Sequence, residues 1–292
     1  MTIRVNGRDR DVVAGTTVEA LIRDHGLHPR YVVVERNGEP LSRDTYATTV
    51  LGEGDRLELV RAVAGGEARG GTWRRRRLAR SRLYCCVDRR ADHDDLERFL
   101  DAILGAGVDL VQLRDKRADH AQLRAAAKVF RAAALAHDAL FVVNDDPALA
   151  AEVDADGVHV GQDDAPPAQA RRSIGDDRLV GRSTHAVGEV DAALTEGCDY
   201  FAIGPVHATP TKVGRPAIGL DPVRHAARVA GERPWFVTGG MAAGTAPDVL
   251  AAGARGLVVV RAFTDAPDPA AAVTRLRAVL DAACHSAPRT AS

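Results

Sequence analysis

The chain has 292 residues, with 39 Lys and Arg against 40 Asp and Glu and a net charge of −1. That balance lacks the basic surplus of a nucleic-acid or anionic-membrane binder, and no apolar run approaches the roughly 20 residues of a membrane span. The length suits one large domain plus a small one. The opening MTIRVNGRDRD has no apolar signal region, and Cys85, Cys86, Cys198 and Cys284 lack metal-ligand spacing. A cytoplasmic protein with reduced thiols is expected.

Thr2 to Val5 alternates apolar and polar, Asn6-Gly7 is a hairpin turn signal, and Asp11 to Val13 is the expected return strand. Thr16 and Thr17 precede Val18, Leu21 and Ile22, which is helical spacing behind an N-cap. Strands are expected over Tyr31 to Glu35 and Arg56 to Val60, with Asn37-Gly38 as another turn. Residues 1–66 therefore predict a small α+β grasp around one helix. The stretch GGEARGGTWRRRR (65–77) has little apolar periodicity. It predicts a flexible linker over 67–81, with Arg74 to Arg77 as a solvated basic run.

From residue 82 to 284 the pattern changes. Strands are expected at Leu83–Val87, Leu110–Leu113, Leu140–Val143, Gly157–Val160, Leu179–Arg182, Tyr200–Ile203, Trp235–Thr238 and Gly256–Val260. Ala-rich helical segments such as Leu96–Leu104 and Gln122–His137 lie between them. Eight short strands alternating with helices predict an α/β fold, a (β/α)8 TIM barrel, with a doubly wound open sheet as the alternative. Residues 285–292 read as a disordered tail. Polar residues cluster at the strand ends, which favours the barrel, since barrels build their sites there.

Those strand ends supply the chemistry. They carry Gln112, Arg114 and Lys116, then Asn144, Asp145 and Asp146, then Gln162, Asp163 and Asp164, then Ser183, Thr184 and His185. After strand six, GPVHATPTK (204–212) offers Thr209, Thr211 and Lys212, a set suited to phosphate. Gly239-Gly240 and Val260-Arg261 close the series. Cations with paired acids point to a pyrophosphate and a divalent metal, because Mg2+ takes one or two carboxylates and completes its shell with phosphates and water. Taken singly, Asp145, Asp146 or Asp164 has a helix cap as its alternative reading. His185 reads as a packing residue and His159 as a satisfied core histidine.

Two resemblances follow. Residues 1–66 resemble the ThiS family of ubiquitin-like sulfur carriers in the VNG opening, the ERNGEPL turn and the Gly65-Gly66 pair. That resemblance implies a β-grasp fold and partners such as a thiazole synthase or an adenylating enzyme. In this chain Glu67 follows Gly66, so a free terminal carboxylate requires cleavage there. Residues 82 to about 283 resemble the thiamine-phosphate synthase (ThiE) family in VQLRDK (111–116), VNDD (143–146), DGVHVGQDD (156–164), STH (183–185), GPVHATPTK (204–212) and TGG (238–240). The resemblance implies a Mg2+-dependent transferase of thiamine biosynthesis. Such an enzyme joins 4-amino-5-hydroxymethyl-2-methylpyrimidine diphosphate to a thiazole phosphate, releasing pyrophosphate, and CO2 when the thiazole carries a 2-carboxylate.

Carried over by position, Gln112, Arg114, Lys116, Asn144, Ser183 and Lys212 go to the pyrimidine diphosphate. Lys212, Arg114, Lys116 and Ser183 form the catalytic set, and Asp145 and Asp164 bind Mg2+. Thr209, Thr211, Gly240, Val260 and Arg261 go to the thiazole phosphate. Arg261 departs from the family's usual serine, and either adds a phosphate contact or pairs with an acid outside the pocket. Two rival readings remain, a thiazole-phosphate tautomerase of the TenI type and a carrier or scaffold acting through the N-terminal domain. Neither nucleic acid nor membrane is expected as partner.

Overall fold

The computed structural model describes residues 1–25, 29, 32–61, 69–209 and 216–286. The chain divides into two compact units, Met1–Glu67 and Ala68–Ser292. Among the described residues no helix is long and apolar enough to cross a membrane.

In the first unit, β1 (Thr2–Val5) turns through Asn6 and Gly7, both at positive φ, directly into β2 (Arg8–Asp11). The return strand thus starts earlier than the expected Asp11, because a two-residue turn pairs Val5 with Arg8. Helix α1 (Val18–Asp24) is capped by Thr17, whose side chain accepts from the Ala20 amide. Strands β3 (Val32–Arg36), β4 (Glu39–Leu41) and β5 (Arg56–Arg61) complete a sheet of order β2-β1-β5-β3-β4. Only β1 and β5 run parallel. The sheet curls over α1, burying Ile3, Val5, Leu21, Ile22, Val34 and Leu57 together. The buried Tyr46 hydroxyl donates to Val32 O and accepts from Val34 N, so the core keeps no orphan phenol there. Tyr31 and the Gly65-Gly66 pair lie outside the described residues.

In the second unit eight parallel strands close in chain order: β6 (Leu83–Val87), β7 (Leu110–Leu113), β8 (Leu140–Asn144), β9 (Gly157–Val160), β10 (Leu179–Thr184), β11 (Tyr200–Ile203), β12 (Trp235–Val237) and β13 (Leu257–Val259). β13 pairs back onto β6, so the sheet is a closed barrel and the open-sheet alternative falls. Between the strands stand α3 (Leu96–Gly105), α4 (His120–Ala136), α5 (Pro147–Glu152), α6 (Pro167–Ile174), α7 (Val187–Thr195), α8 (Asp221–Val229) and α9 (Ala246–Ala251). Two more, α10 (Arg261–Thr264) and α11 (Pro269–Ser286), follow β13. Strand alternation divides the core in two. Outward residues such as Val111, Val143, Phe201 and Val237 pack beneath the helices. Inward residues, among them Tyr84, Leu110, Leu140, Tyr200 and Phe236, fill the barrel. Tyr84, Tyr200 and Phe236 meet edge to face at 5.5 to 6.3 Å, a geometry worth about 1 kcal/mol per pair beyond burial. Gly181 makes that packing possible: a Cβ there would lie 2.2 Å from Tyr200 Cζ.

The linker reading is corrected over 71–80, while residues 67 and 68 lie outside the described residues. Gly71–Arg80 forms a further helix, α2, which closes the N-terminal end of the barrel. Leu78 is 2 % exposed and joins the interior cluster. Arg74, 7 % exposed, donates to Asp156, and Arg77 donates to Asp109. The arginine run looked solvated because its carboxylate partners lie far along the chain. The helix α11 continues to Ser286, so residues 285 and 286 are helical, and residues 287–292 of the expected tail lie outside the described set.

Candidate functional site

The site grows out of the same alternation that fills the barrel. On β6, β7, β8, β9 and β10 the last inward positions are Cys86, Gln112, Asn144, His159 and Ser183, and all five line a cavity of about 970 Å³ at the C-terminal mouth. Arg114, Lys116, Asp145, Asp164, Thr209, Gly240, Val260 and Arg261 also line it. The mouth therefore gathers every expected site residue except Thr211 and Lys212, which lie outside the described residues.

Gln112 forms part of the floor. It is 3 % exposed, its Oε1 accepts from the Cys86 thiol at 2.6 Å, and its Nε2 has no hydrogen-bond partner among the described residues. A buried amide donor left unmet costs about 1–3 kcal/mol, which a ligand acceptor would recover. His159 stands opposite. Its Nδ1 lies 3.3 Å from Tyr200 Oη and its Nε2 3.0 Å from Ser183 Oγ. It is satisfied, as expected of a core histidine, but it lines the cavity as well.

The three acids separate cleanly. Asp146 caps α5, accepting from Leu149 N at 2.9 Å. Asp145, one residue earlier, has φ +62° and does not cap. A left-handed aspartate costs energy unless its surroundings hold it, and such residues concentrate at functional sites. Here the Asp145 amide donates to His159 O at 2.8 Å. Asp164 does not cap α6 either, since Pro166 occupies that position. Its Oδ2 accepts from Gly161 N at 2.7 Å.

The carboxyls of Asp145 and Asp164 face each other. Burial, and then the neighbouring Asp164, hold the Asp145 carboxyl above its ordinary range, while Lys116 pulls it the other way. Lys116 Nζ lies 3.6 Å from Asp145 Oδ2 on a side chain 66 % exposed, so it compensates only weakly. Arg114, half-buried, has no carboxylate partner among the described residues. No group of three or more His, Cys, Asp or Glu side chains suited to a metal occurs among the described residues. Two carboxylates beside cationic side chains fit a magnesium ion completed by phosphate oxygens, and do not fit a fully protein-ligated metal.

The opposite wall is made of close backbone. Gly239 and Gly240 both have positive φ, and a Cβ on Gly239 would lie 2.5 Å from Pro205 Cα. Side chains are thus excluded where this wall meets the loop after β11. Arg261 is the first residue of α10 and pairs with Asp265 at 2.9 Å, but the pair lines the cavity and does not stand outside it as the second expected placement had it. It remains on the cavity rim. Tyr84, Cys86, His159 and His185 were missed as cavity residues. The alternation that places Gln112 inward places Tyr84, Cys86 and His159 there too.

The thiamine monophosphate synthase family model matches residues 83–263, and the ThiS family model matches residues 3–66. A thiamine-phosphate synthase of Acidothermus cellulolyticus is 51 % identical over 207 residues, covering 70 % of this chain and 98 % of its own length. The thiamine-phosphate synthase of Thermobifida fusca is 53 % identical over 211 residues, covering 72 % and 96 %. Among solved structures, thiamine phosphate pyrophosphorylase from Pyrococcus furiosus superimposes with a TM-score of 0.64 at 30 % identity, over 72 % of this chain and 98 % of that one. With its family model matched across the barrel and the ThiS model matched ahead of it, the chain belongs to the thiamine monophosphate synthase family.

Proposed function

We propose that the barrel condenses 4-amino-5-hydroxymethyl-2-methylpyrimidine diphosphate with 4-methyl-5-thiazole ethyl phosphate, with or without its 2-carboxylate, to give thiamine phosphate. The observation that carries this is the pair of facing carboxylates, Asp145 and Asp164, set beside Arg114, Lys116 and the unmet Gln112 amide in one cavity. A tautomerase acting on thiazole phosphate alone needs no such pair.

Gln112 offers its Nε2–H to a ring nitrogen of the pyrimidine, with Asn144 and Ser183 as further polar contacts. Arg114, Lys116 and Lys212 receive the diphosphate. Asp145 and Asp164 would hold Mg2+, which when bound neutralises charge on the departing pyrophosphate. The pyrimidine-methylene C–O bond breaks, and pyrophosphate leaves with the electron pair. The aminopyrimidine stabilises the methylene cation, and the thiazole nitrogen supplies its lone pair to form the C–N bond. A carboxylated thiazole also loses CO2, the C–C pair staying on C2, which takes up a proton from solvent. Thr209, Thr211, Gly240 and the backbone at Val260 and Arg261 hold the thiazole phosphate, so that the nitrogen waits within about 3.5 Å of the methylene carbon. No protein base is required.

The N-terminal unit, by its likeness to ThiS, would meet a thiazole-forming or adenylating partner. The described cysteines are free thiols, which supports a reducing, cytoplasmic setting. The test is thiamine phosphate formation by the full-length chain with and without Mg2+, beside an Asp145→Ala/Asp164→Ala variant. Mg2+-dependent product that the variant fails to make is the expected result. Absence of product from folded parent protein would transfer the barrel to the tautomerase reading.

A further inference from the structure

Arg182 stands one residue before Ser183 on β10, so alternation turns its side chain away from the cavity and under the helices. It is 6 % exposed. A buried guanidinium must find partners for its fixed fork of donors, and the partners here are specific. One terminal nitrogen donates to Gly161 O at 2.5 Å and the other to Gln162 Oε1 at 3.2 Å. Nε faces Glu196 Oε2 as an ion pair at 3.2 Å.

Gly161 and Gln162 open the loop that carries Asp164. The Gly161 amide donates to Asp164 Oδ2 at 2.7 Å while its carbonyl is held by Arg182. Gln162 Nε2 donates to Ser183 O at 2.6 Å while its carbonyl oxygen is held by the same guanidinium. One cation behind the wall thus grips the first two residues of the short turn that aims Asp164 toward Asp145. A side chain at Gly161 would press on that carboxylate, since a Cβ there would lie 2.9 Å from Asp164 Oδ2.

We infer that Arg182 is a positioning residue for the divalent-cation site: by fixing Gly161 and Gln162 it sets the direction of the Asp164 carboxylate, and so the affinity for the ion. The inference rests on the reading of Asp145 and Asp164 as metal ligands. Partners behind a metal ligand typically govern 10–100-fold in metal affinity. A purely structural Arg182–Glu196 pair would instead govern stability and leave the ion's affinity alone.

The experiment is titration of the full-length chain with Mn2+ in the presence of inorganic pyrophosphate, followed by electron paramagnetic resonance, with thermal midpoints and steady-state kinetics alongside. Arg182→Gln/Glu196→Gln removes both charges together, so that neither is left buried alone. Gln162→Met removes one arm of the clamp without touching a charge. Arg182→Lys keeps the charge but replaces the two-pronged fork by a single nitrogen, and Asp164→Asn serves as reference.

The double variant should weaken Mn2+ binding by roughly tenfold or more, and Gln162→Met by a smaller factor. Arg182→Lys should fall between the double variant and parent. Raised Mg2+ should restore turnover, and the KM for thiazole phosphate should stay unchanged. If Gln162→Met and the folded double variant bind Mn2+ like the parent while Asp164→Asn does not, the inference is overturned and the metal reading stands. If Asp164→Asn itself binds Mn2+ like the parent, both fail.

Discussion

The two ends of the barrel bring the same side chains together and reach opposite outcomes. At the floor, Asp109 accepts from Arg77 and Arg277 and from the amides of Arg82 and Leu83. Asp156 accepts from Arg74, Arg69 and the Phe141 amide. Asp199 is shared by Arg75 and Arg171 and takes the Val180 amide. These aspartates precede β7, β9 and β11, and every one is met by arginine. At the mouth, Asp145 and Asp164 face each other with one solvent-exposed lysine beside Asp145. Charge fully matched within the chain holds the fold. The pair at the mouth has no such match among the described residues, and it is there that the proposed metal would sit.

The sharpest break of that contrast is Asp145→Asn. Turnover should fall roughly 100-fold or more, the loss of several kcal/mol of charge stabilisation. The thermal midpoint without Mg2+ should hold or rise, because a like-charge contact is relieved. A lower midpoint in calorimetry would mean that the mouth, too, is built for stability.

At the floor the signs reverse. Arg74→Met should cost about 3 kcal/mol by leaving Asp156 short of a partner, lowering the midpoint by roughly 6–12 °C. Turnover per folded molecule should be unchanged in assays at 25 °C, and a kinetic defect there would erase the distinction. A smaller effect lies in the cavity floor. Cys86→Val removes the donor that orients the Gln112 amide, so the KM for the pyrimidine diphosphate should rise about fivefold, near 1 kcal/mol. Cys86→Ser, which keeps a donor, should recover most of it.

The smallest effect concerns Asp95, whose two oxygens accept from Arg90 at 2.6 and 3.0 Å. That pairing holds its carboxyl below the ordinary range. A depressed folded value contributes stability above the unfolded value and loses it as pH falls through the folded one. Asp95→Asn should therefore cost about 1 kcal/mol at neutral pH, and the gap from parent should close below about pH 4. A gap independent of pH in denaturant titrations would assign the loss to packing.

The strands, the barrel and the mouth were legible because each rests on local period or on motifs within a few residues. Alternation alone places Gln112 inward, and consistent use of it reaches Cys86 and His159. It does not separate Asp145 from Asp146, since the difference is one left-handed φ. Helix α2 was illegible for another reason. Arg74, Arg77 and Arg75 meet acids 82, 32 and 124 residues away, and nothing near the arginines in sequence announces them. Arg182 was hidden in the same way, as a charge inside a strand whose purpose lies on the neighbouring loop.

Helix α2 also imposes an order of events. It leaves the ribosome before any barrel strand, yet its anchors lie at Asp109, Asp156 and Asp199, the last about 120 residues downstream. Its full set of anchors exists only once residue 199 has been made. A chain halted before residue 199 should leave the arginines of α2 open to trypsin, and one extended through α11 should close them.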